Sequence, residues 1–343
     1  DWQTALEYVA NGLQGVKAQH GPQAIGTLAS PHSTAEELFL AASLTRGLGS
    51  QNIDTRLRAA DFHTDVNSEH GGAVRARWLG TSVASLTTLQ RVLVIGSNIR
   101  KDQPLLAQRL RQAVRNGGKV NALNAQAYDW AMPVANTLVA DAANWVQALA
   151  DIAAAVGAIT GAAAPVAGNA NSAEAQAIAK SLTGGERKAI LLGNAAAHHA
   201  KASSLLSLAN WIGAQTGATV GYLGEAANTV GAQVVGALPK AGGQNAGQML
   251  AGGLKAVVLL NTEPAFDAAN GAAAAQAIGQ AEMVVTLSPF KANMDISDVL
   301  LPISPFTETA GTFINTEGRA QSFHGVVKPL GETRPAWKVL RVL

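Results

Sequence analysis

Three apolar runs in this chain share one layout. RVLVIGSN (Arg91–Asn98), KAILLGN (Lys188–Asn194) and KAVVLLNTEP (Lys255–Pro264) each end in small or amide residues and lead into a helical pattern. Consecutive apolar residues without alternation suit a strand buried on both faces, and such strands belong to parallel sheets covered by helices on either side. The repeat therefore predicts an α/β chain with two doubly wound, mainly parallel sheets and helices on both faces. Ligands of such sheets bind beyond the carboxyl ends of the strands, so Gly96, Asn98, Gly193, Asn194 and Asn261 are candidate cleft residues. Tight strand-to-helix turns demand the same small residues whatever is bound.

The flanking sequence fits this layout. DWQTALEYVANGLQGV places Trp2, Leu6, Val9, Leu13 and Val16 on one helical stripe. GPQAIGTLA supplies a short strand, and SPHSTAEELFLAASLTRGLGS a helix with Ser33 and Glu36 spaced as a capping box and Gly47 near its end. Pro104 suits the first turn of a helix that Gly117 and Gly118 close, and KVNAL and EMVVTLSPF read as further strands. The turn-rich segment GAITGAAAPVAGNANSAEAQ (Gly157–Gln176) reads as a surface loop or a crossing between domains.

Composition removes several function classes. Hydrophobic residues make up 48% and charged residues 14%, which places the chain among packed globular proteins. Lys and Arg number 25 against 23 Asp and Glu, a formal charge of +2 that offers no field for a nucleic-acid backbone, and the pairs Arg56/Arg58 and Arg75/Arg77 lack interleaved aromatics. There is no cysteine, hence no thiolate nucleophile and no cysteine-ligated zinc or iron–sulfur site within this sequence. The opening residues show no signal-peptide pattern, and the apolar stretch Ala148–Gly168, with Asp151 and Pro165 among alanines and glycines, is a poor membrane span.

Catalytic motifs are sparse. GLGSQN (Gly47–Asn52) matches only the start of a phosphate-binding glycine pattern and follows a helix, so it reads as a helix terminus. GTSVA (Gly80–Ala84) departs from a nucleophile elbow at its last residue, which weakens Ser82 as a nucleophile. His198/His199, and the set His63, Glu69 and His70, are the histidine groupings open to metal binding, but adjacent helical side chains diverge by about 100° and suit capping or solvated roles better.

NIDTRLRAADF (Asn52–Phe62), IGSNIRKDQP (Ile95–Pro104), LLGNAAAHHAKASSLLSLANWIGAQTGATVG (Leu191–Gly221) and SPFTETAGTFINTEGRAQSFHGVVKPLGETRPAWKVLR (Ser304–Arg341) resemble, in order, segments of the molybdopterin-dependent oxidoreductases, a family that includes formate dehydrogenases and nitrate reductases. The last segment is most similar to one branch, the large iron–sulfur subunit of the peripheral arm of respiratory complex I, an NADH:quinone oxidoreductase. The resemblance implies a formate dehydrogenase/DMSO reductase-like core. At the position where molybdenum-using members carry a cysteine, selenocysteine or serine ligand stands Ala60, and Asp61 stands where a histidine is frequent. Alanine cannot coordinate a metal.

The resemblance carries further expectations. One α/β domain, residues 24–144, is inserted into another made of residues 1–23 and 145–343. The cleft is vestigial: Gly96, Asn98, Gly193, Asn194, Asn261 and Asn315 line it without catalytic or metal-binding residues. Thr312, Asn315, Glu317 and Arg319 partner one another in a buried polar junction between domains, with Gly311 and Gly318 permitting its turns. No cofactor belongs to this segment; iron–sulfur clusters lie in an N-terminal region of the parent, and molybdopterin has been lost. The partners are other peripheral-arm subunits on the cytoplasmic side of a bacterial inner membrane, with no nucleic acid and no direct membrane insertion. Apolar surface near Val339–Leu343 is exposed. Two other readings stay open: an active molybdopterin-dependent oxidoreductase with Asp61 as a substitute ligand, and a nucleotide-binding regulatory module that uses the strand tips.

Overall fold

The computed structural model describes residues 1–63 and 77–343. Its strands in chain order are β1 (Ile25–Ala29), β2 (Ile53–Asp54), β3 (Arg91–Ile95), β4 (Lys119–Asn124), β5 (Asn136–Val139), β6 (Lys188–Leu192), β7 (Thr219–Tyr222), β8 (Ala256–Leu260), β9 (Met283–Ser288), β10 (Val299–Pro302), β11 (Gly311–Ile314) and β12 (Ala320–Phe323). Two units result, one discontinuous, Asp1–Ala59 with Ala226–Leu343, and one continuous, Ala60–Glu225.

The discontinuous unit holds a five-stranded sheet in the order β10-β9-β8-β1-β2, every pair parallel, and the antiparallel hairpin β11–β12. All residues of β1, β8 and β9 are buried, as their uninterrupted apolar runs require. The helix Trp2–His20 buries Val9, Leu13 and Val16 of the expected stripe, while Trp2 and Leu6 are partly buried at its start. Each fully buried aliphatic side chain contributes about 1.5–3 kcal/mol of transfer free energy. The C-terminal helix Ala336–Val342 packs on the helix Ala35–Gly47 and buries Val339 and Leu340 in the same core. The expected exposed apolar end is therefore confined largely to Val342, because the helical period turns its neighbours inward.

In the continuous unit the order is β5-β4-β3-β6-β7, again all parallel. Successive side chains of β3 point to opposite faces. Val92 and Val94 join a core with Leu106 and Leu110 of the helix Pro104–Arg115; Leu93 and Ile95 join a second core with the helices Trp145–Thr160, Ala173–Thr183 and Ala202–Thr216. β6 repeats this, Ala189 and Leu191 to one side and Ile190 and Leu192 to the other. Among the described residues one helical stretch, Ala142–Thr160, is long and apolar enough to cross a membrane. Its Leu149, Ile152 and Val156 are fully buried in this unit's core.

The domain limits fall away from residues 24 and 144. β1 pairs along its length with β8, Ile25 opposite Ala256 and Ala29 opposite Leu260, so residues 25–59 belong to the discontinuous unit. The helix Trp145–Thr160 packs against β3 and β6, which keeps it with residues 60–144. Strand pairing across more than 200 residues leaves no local trace in sequence. The segment 157–176 likewise contains the end of one helix, a loop and the start of another inside the continuous unit, where Asp151 Oδ1 accepts from Asn169 N at 2.7 Å.

Candidate functional site

In the discontinuous unit the chain runs from β1 outward to β2, whereas β8 leads the opposite way to β9 and β10. This reversal between β1 and β8 opens a crevice at their carboxyl ends. A cavity of about 430 Å³ lies there, with Ser30 and His32 after β1, Asn261 and Glu263 after β8, Phe290 after β9 and Phe306 after β10 among its lining. Asn261 adopts φ 51°, a left-handed conformation that asparagine tolerates. Its Nδ2 donates to Ser33 Oγ at 3.1 Å, joining the end of β8 to the turn that precedes the helix Ala35–Gly47.

That helix is capped one residue later than the Ser33/Glu36 spacing predicts. Thr34 Oγ1 accepts from Glu37 N at 3.3 Å, and Glu37 Oε2 accepts from Thr34 N at 2.9 Å. Ser33 and Glu36 are released for other partners, Ser33 for Asn261 and Glu36 for the hairpin, since Thr312 N donates to Glu36 Oε2 at 2.9 Å. Glu37 also lines the cavity and is only 3% exposed. Burial raises its pKa, opposed by the two hydrogen bonds from Thr34 and reinforced by the charge of Glu36.

The second sheet reverses between β3 and β6, where Gly96, Asn98, Gly193 and Asn194 sit. Here the glycines serve the protein's own packing. A Cβ on Gly96, at φ 66°, would lie 2.6 Å from Ala196 N and 2.8 Å from the Trp145 ring; one on Gly193 would lie 2.4 Å from Ser97 Cβ. Gly193 N donates to Ile95 O and Ala195 N to Gly96 O, so the two strand tips are stitched together. Asn194 opens the short helix Asn194–Ala197, and Asn98 holds its Oδ1 buried without a hydrogen-bond partner among the described residues.

Ala60 is exposed. Asp61 beside it is 4% exposed with both oxygens engaged: Oδ1 accepts from His63 N at 2.9 Å and contacts His63 Nδ1 at 2.7 Å, while Oδ2 accepts from Ser203 N at 2.8 Å and Ser203 Oγ at 2.5 Å. Ser203 lies in the first turn of the helix Ala202–Thr216, whose free N–H groups favour a carboxylate. Burial alone would raise the Asp61 pKa; the hydrogen bonds from Ser203 and His63 outweigh it and hold the carboxyl well below its usual range. Glu69, His70 and Arg75 lie outside the described residues. Among the described residues no group of three or more His, Cys, Asp or Glu is arranged to hold a metal ion. His198 Nε2 contacts Glu225 Oε2 at 3.0 Å, and His199 stacks on Trp145 with Nε2 at 2.8 Å from Ala142 O.

The NID stretch is a buried structural tie. Asn52 and Asp54 are fully buried; Asn52 Nδ2 donates to Gln23 O at 2.8 Å and its Oδ1 accepts from Gln244 N at 2.7 Å. Asp54 takes Arg56 Nε on Oδ1 at 2.9 Å and Nη2 on Oδ2 at 2.8 Å, and Oδ2 also accepts from Ala246 N at 3.0 Å. Asn315 works in a turn of the hairpin, its Oδ1 accepting from Glu317 N at 3.1 Å and Arg319 N at 2.9 Å. The surroundings differ from the buried junction expected of Thr312, Asn315, Glu317 and Arg319: Arg319 is 69% exposed, and the first three residues of β12 face solvent. A two-stranded hairpin has one covered face, here set against Glu36 and Asn228 of the same unit, and its other face takes polar residues.

The sequence matches the molybdopterin oxidoreductase family over residues 1–343. The chain belongs to that family. It is 24% identical over 407 aligned residues to the NADPH-Fe(3+) oxidoreductase subunit alpha of Geobacter sulfurreducens, covering 100% of this chain and 47% of that protein. A second similarity is local: 47% identity over 47 residues with the mitochondrial NADH-ubiquinone oxidoreductase 78 kDa subunit of Candida albicans, 14% of this chain and 5% of that protein. The acetylene hydratase of Pelobacter acetylenicus shares the fold, with a TM-score of 0.75 at 16% identity over 99% of this chain and 57% of the hydratase. The chain thus spans less than half the length of the curated relatives it matches in full, 47% of the Geobacter sulfurreducens subunit and 41% of a putative formate dehydrogenase of Staphylococcus aureus. The α/β architecture with two parallel sheets is that of family structures. The sequence resemblance found the family; its complex I branch matches only locally.

Glu37 and Glu263 carry no signal in the pattern of strand tips: Glu37 sits inside a helix and doubles as its capping residue, and Glu263 lies two residues past Asn261 in the NTEP turn.

Proposed function

We propose that this chain is a molybdopterin-oxidoreductase domain without a redox centre of its own, serving as scaffold in a large subunit of a multisubunit pyridine-nucleotide-oxidising complex, specifically the complex I type. The observation that carries this reading is the Ala60–Asp61 pair. The position aligned with the family's metal ligand has no donor atom, and the neighbouring carboxylate spends both oxygens on Ser203 and His63. The cavity over β1 and β8 likewise ill fits a diphosphate, for its described lining contains Glu37, Glu263 and Asp267 and neither lysine nor arginine. Thiolate-ligated clusters of the assembly belong to segments other than this cysteine-free one. The proposed setting is the peripheral arm on the cytoplasmic side of a bacterial inner membrane, beside other arm subunits.

The full-length match to a subunit named for NADPH-dependent Fe(3+) reduction favours a second reading, in which the parent complex passes electrons to an acceptor other than quinone. Affinity isolation of the parent protein from its source, with metal analysis, tests both. Co-isolation of NADH-oxidising and quinone-reducing activities supports the first reading, and NADPH-dependent ferric reduction without quinone reduction supports the second. Stoichiometric molybdenum or tungsten with pterin fluorescence after denaturation overturns the redox-centre-free assignment in either.

A further inference from the structure

We propose that the cavity at the carboxyl edge of the β10-β9-β8-β1-β2 sheet binds a small organic cation, an ammonium or guanidinium group carried on an apolar body. The cavity measures about 430 Å³, within the range of small-molecule sites. Its described lining combines carboxyl groups with aromatic rings and contains no lysine or arginine. Ligand affinity therefore depends on how those carboxyls are already engaged.

Asp267 is largely committed. Its Oδ2 accepts from Glu263 N at 2.8 Å and from Thr262 Oγ1 at 3.2 Å, and its Oδ1 lies 3.9 Å from the half-exposed Arg58. Glu263 has neither hydrogen-bond nor ion-pair partner for its carboxylate among the described residues. Glu37, 3% exposed, is held by Thr34, with Oε2 accepting from Thr34 N at 2.9 Å, and lines the same cavity. A half-buried carboxylate without a donor at the wall of a cavity, here that of Glu263, is a polar group that a ligand N–H can satisfy. A cation is also the occupant that reverses the effect of burial on Glu37, since a nearby positive charge favours the ionised acid.

The rings complete the match. Phe290 and Phe306 stand 64% and 69% exposed, and Phe313 is stacked on Phe323 with centroids 5.0 Å apart. Aromatic faces attract ammonium and guanidinium groups, and the rings also cover an apolar body. An anionic ligand meets the opposite situation. The first-turn N–H groups of the helix Ala35–Gly47 are partly occupied by its own capping box, and the carboxylates repel a phosphate. This binding chemistry goes beyond the scaffold role proposed above and is tested without reference to it.

Calorimetric titration of the 343-residue chain at neutral pH uses benzylammonium and benzylguanidinium as probes, with benzyl alcohol and GDP as comparators. Binding of at least one cation, with benzyl alcohol about tenfold weaker or absent and GDP silent, is the expected result. Glu263→Gln weakens the cation about tenfold at unchanged thermal stability, and Phe306→Ala, a change at an exposed ring, weakens it severalfold. Failure of both cations to bind, equal binding of benzyl alcohol, binding of GDP, or cation affinity unchanged in both variants overturns the proposal.

Discussion

Asp61 accepts two hydrogen bonds on one oxygen from the same residue, Ser203, whose N and Oγ lie 2.8 and 2.5 Å from Oδ2. The Asp61 carboxylate is thereby a cap on the helix Ala202–Thr216. Asp61→Ala removes the cap and leaves the part-buried Ser203 N–H and Oγ without that acceptor, so a loss of about 1–2 kcal/mol is expected by denaturant unfolding. The folded-state pKa is depressed, so the carboxylate's contribution is present above the unfolded value of about 3.9 and is lost as pH falls from there through the folded pKa. Asp61→Asn should flatten the acid limb of a stability–pH profile, and an unchanged limb would show that Asp61 does not cap this helix as a carboxylate.

Glu37 titrates in the opposite sense. Its folded pKa lies above the unfolded one, so stability is greatest below the unfolded value and declines as pH rises through the folded pKa. Glu37→Gln retains an oxygen for Thr34 N and cannot ionise; it is expected to remove that decline, read as thermal midpoints compared between pH 4 and pH 8. Thr34→Ala, which takes away the other half of the capping box, is expected to cost about 1 kcal/mol, and more where Glu37 is ionised because the Thr34 hydroxyl favours that form.

Arg56 grips the fully buried Asp54 with two nitrogens, and the guanidinium itself is 8% exposed. Removing one partner strands a buried charge, so Arg56→Ala is expected to cost about 3–5 kcal/mol in urea unfolding. Arg56→Lys cannot reproduce the two-pronged geometry and should recover only part of the loss.

Gly96 and Gly117 separate backbone conformation from close packing. Both have positive φ, 66° and 87°, but an added Cβ meets Ala196 and Trp145 at Gly96 and nothing within 4 Å at Gly117. Gly117→Ala should cost about 1 kcal/mol for conformation alone, and Gly96→Ala about 3 kcal/mol or more because the β3 and β6 tips must part. Equal losses would argue against the stitched tips.

Sequence patterning was enough for the main strands, the parallel α/β class and the family. The runs at Val92–Ile95, Ala189–Leu192 and Ala256–Leu260 are short, continuously apolar and closed by turn residues, which suits strands covered on both faces, and backbone geometry sends alternate residues to two cores. The strand tips were legible because a sharp turn after a buried strand selects glycine and asparagine. Tertiary structure alone decided which sheet each strand joined: β1 lies beside β8, a pairing that moved the domain limits to 59/60 and 225/226. It also decided that Gly96 and Gly193 serve packing, that Asp61 is a cap, and that Glu37 and Glu263 face one cavity with Phe306. Such roles depend on neighbours distant in the chain, and hydrogen bonding and burial, which local periodicity does not encode, assign them.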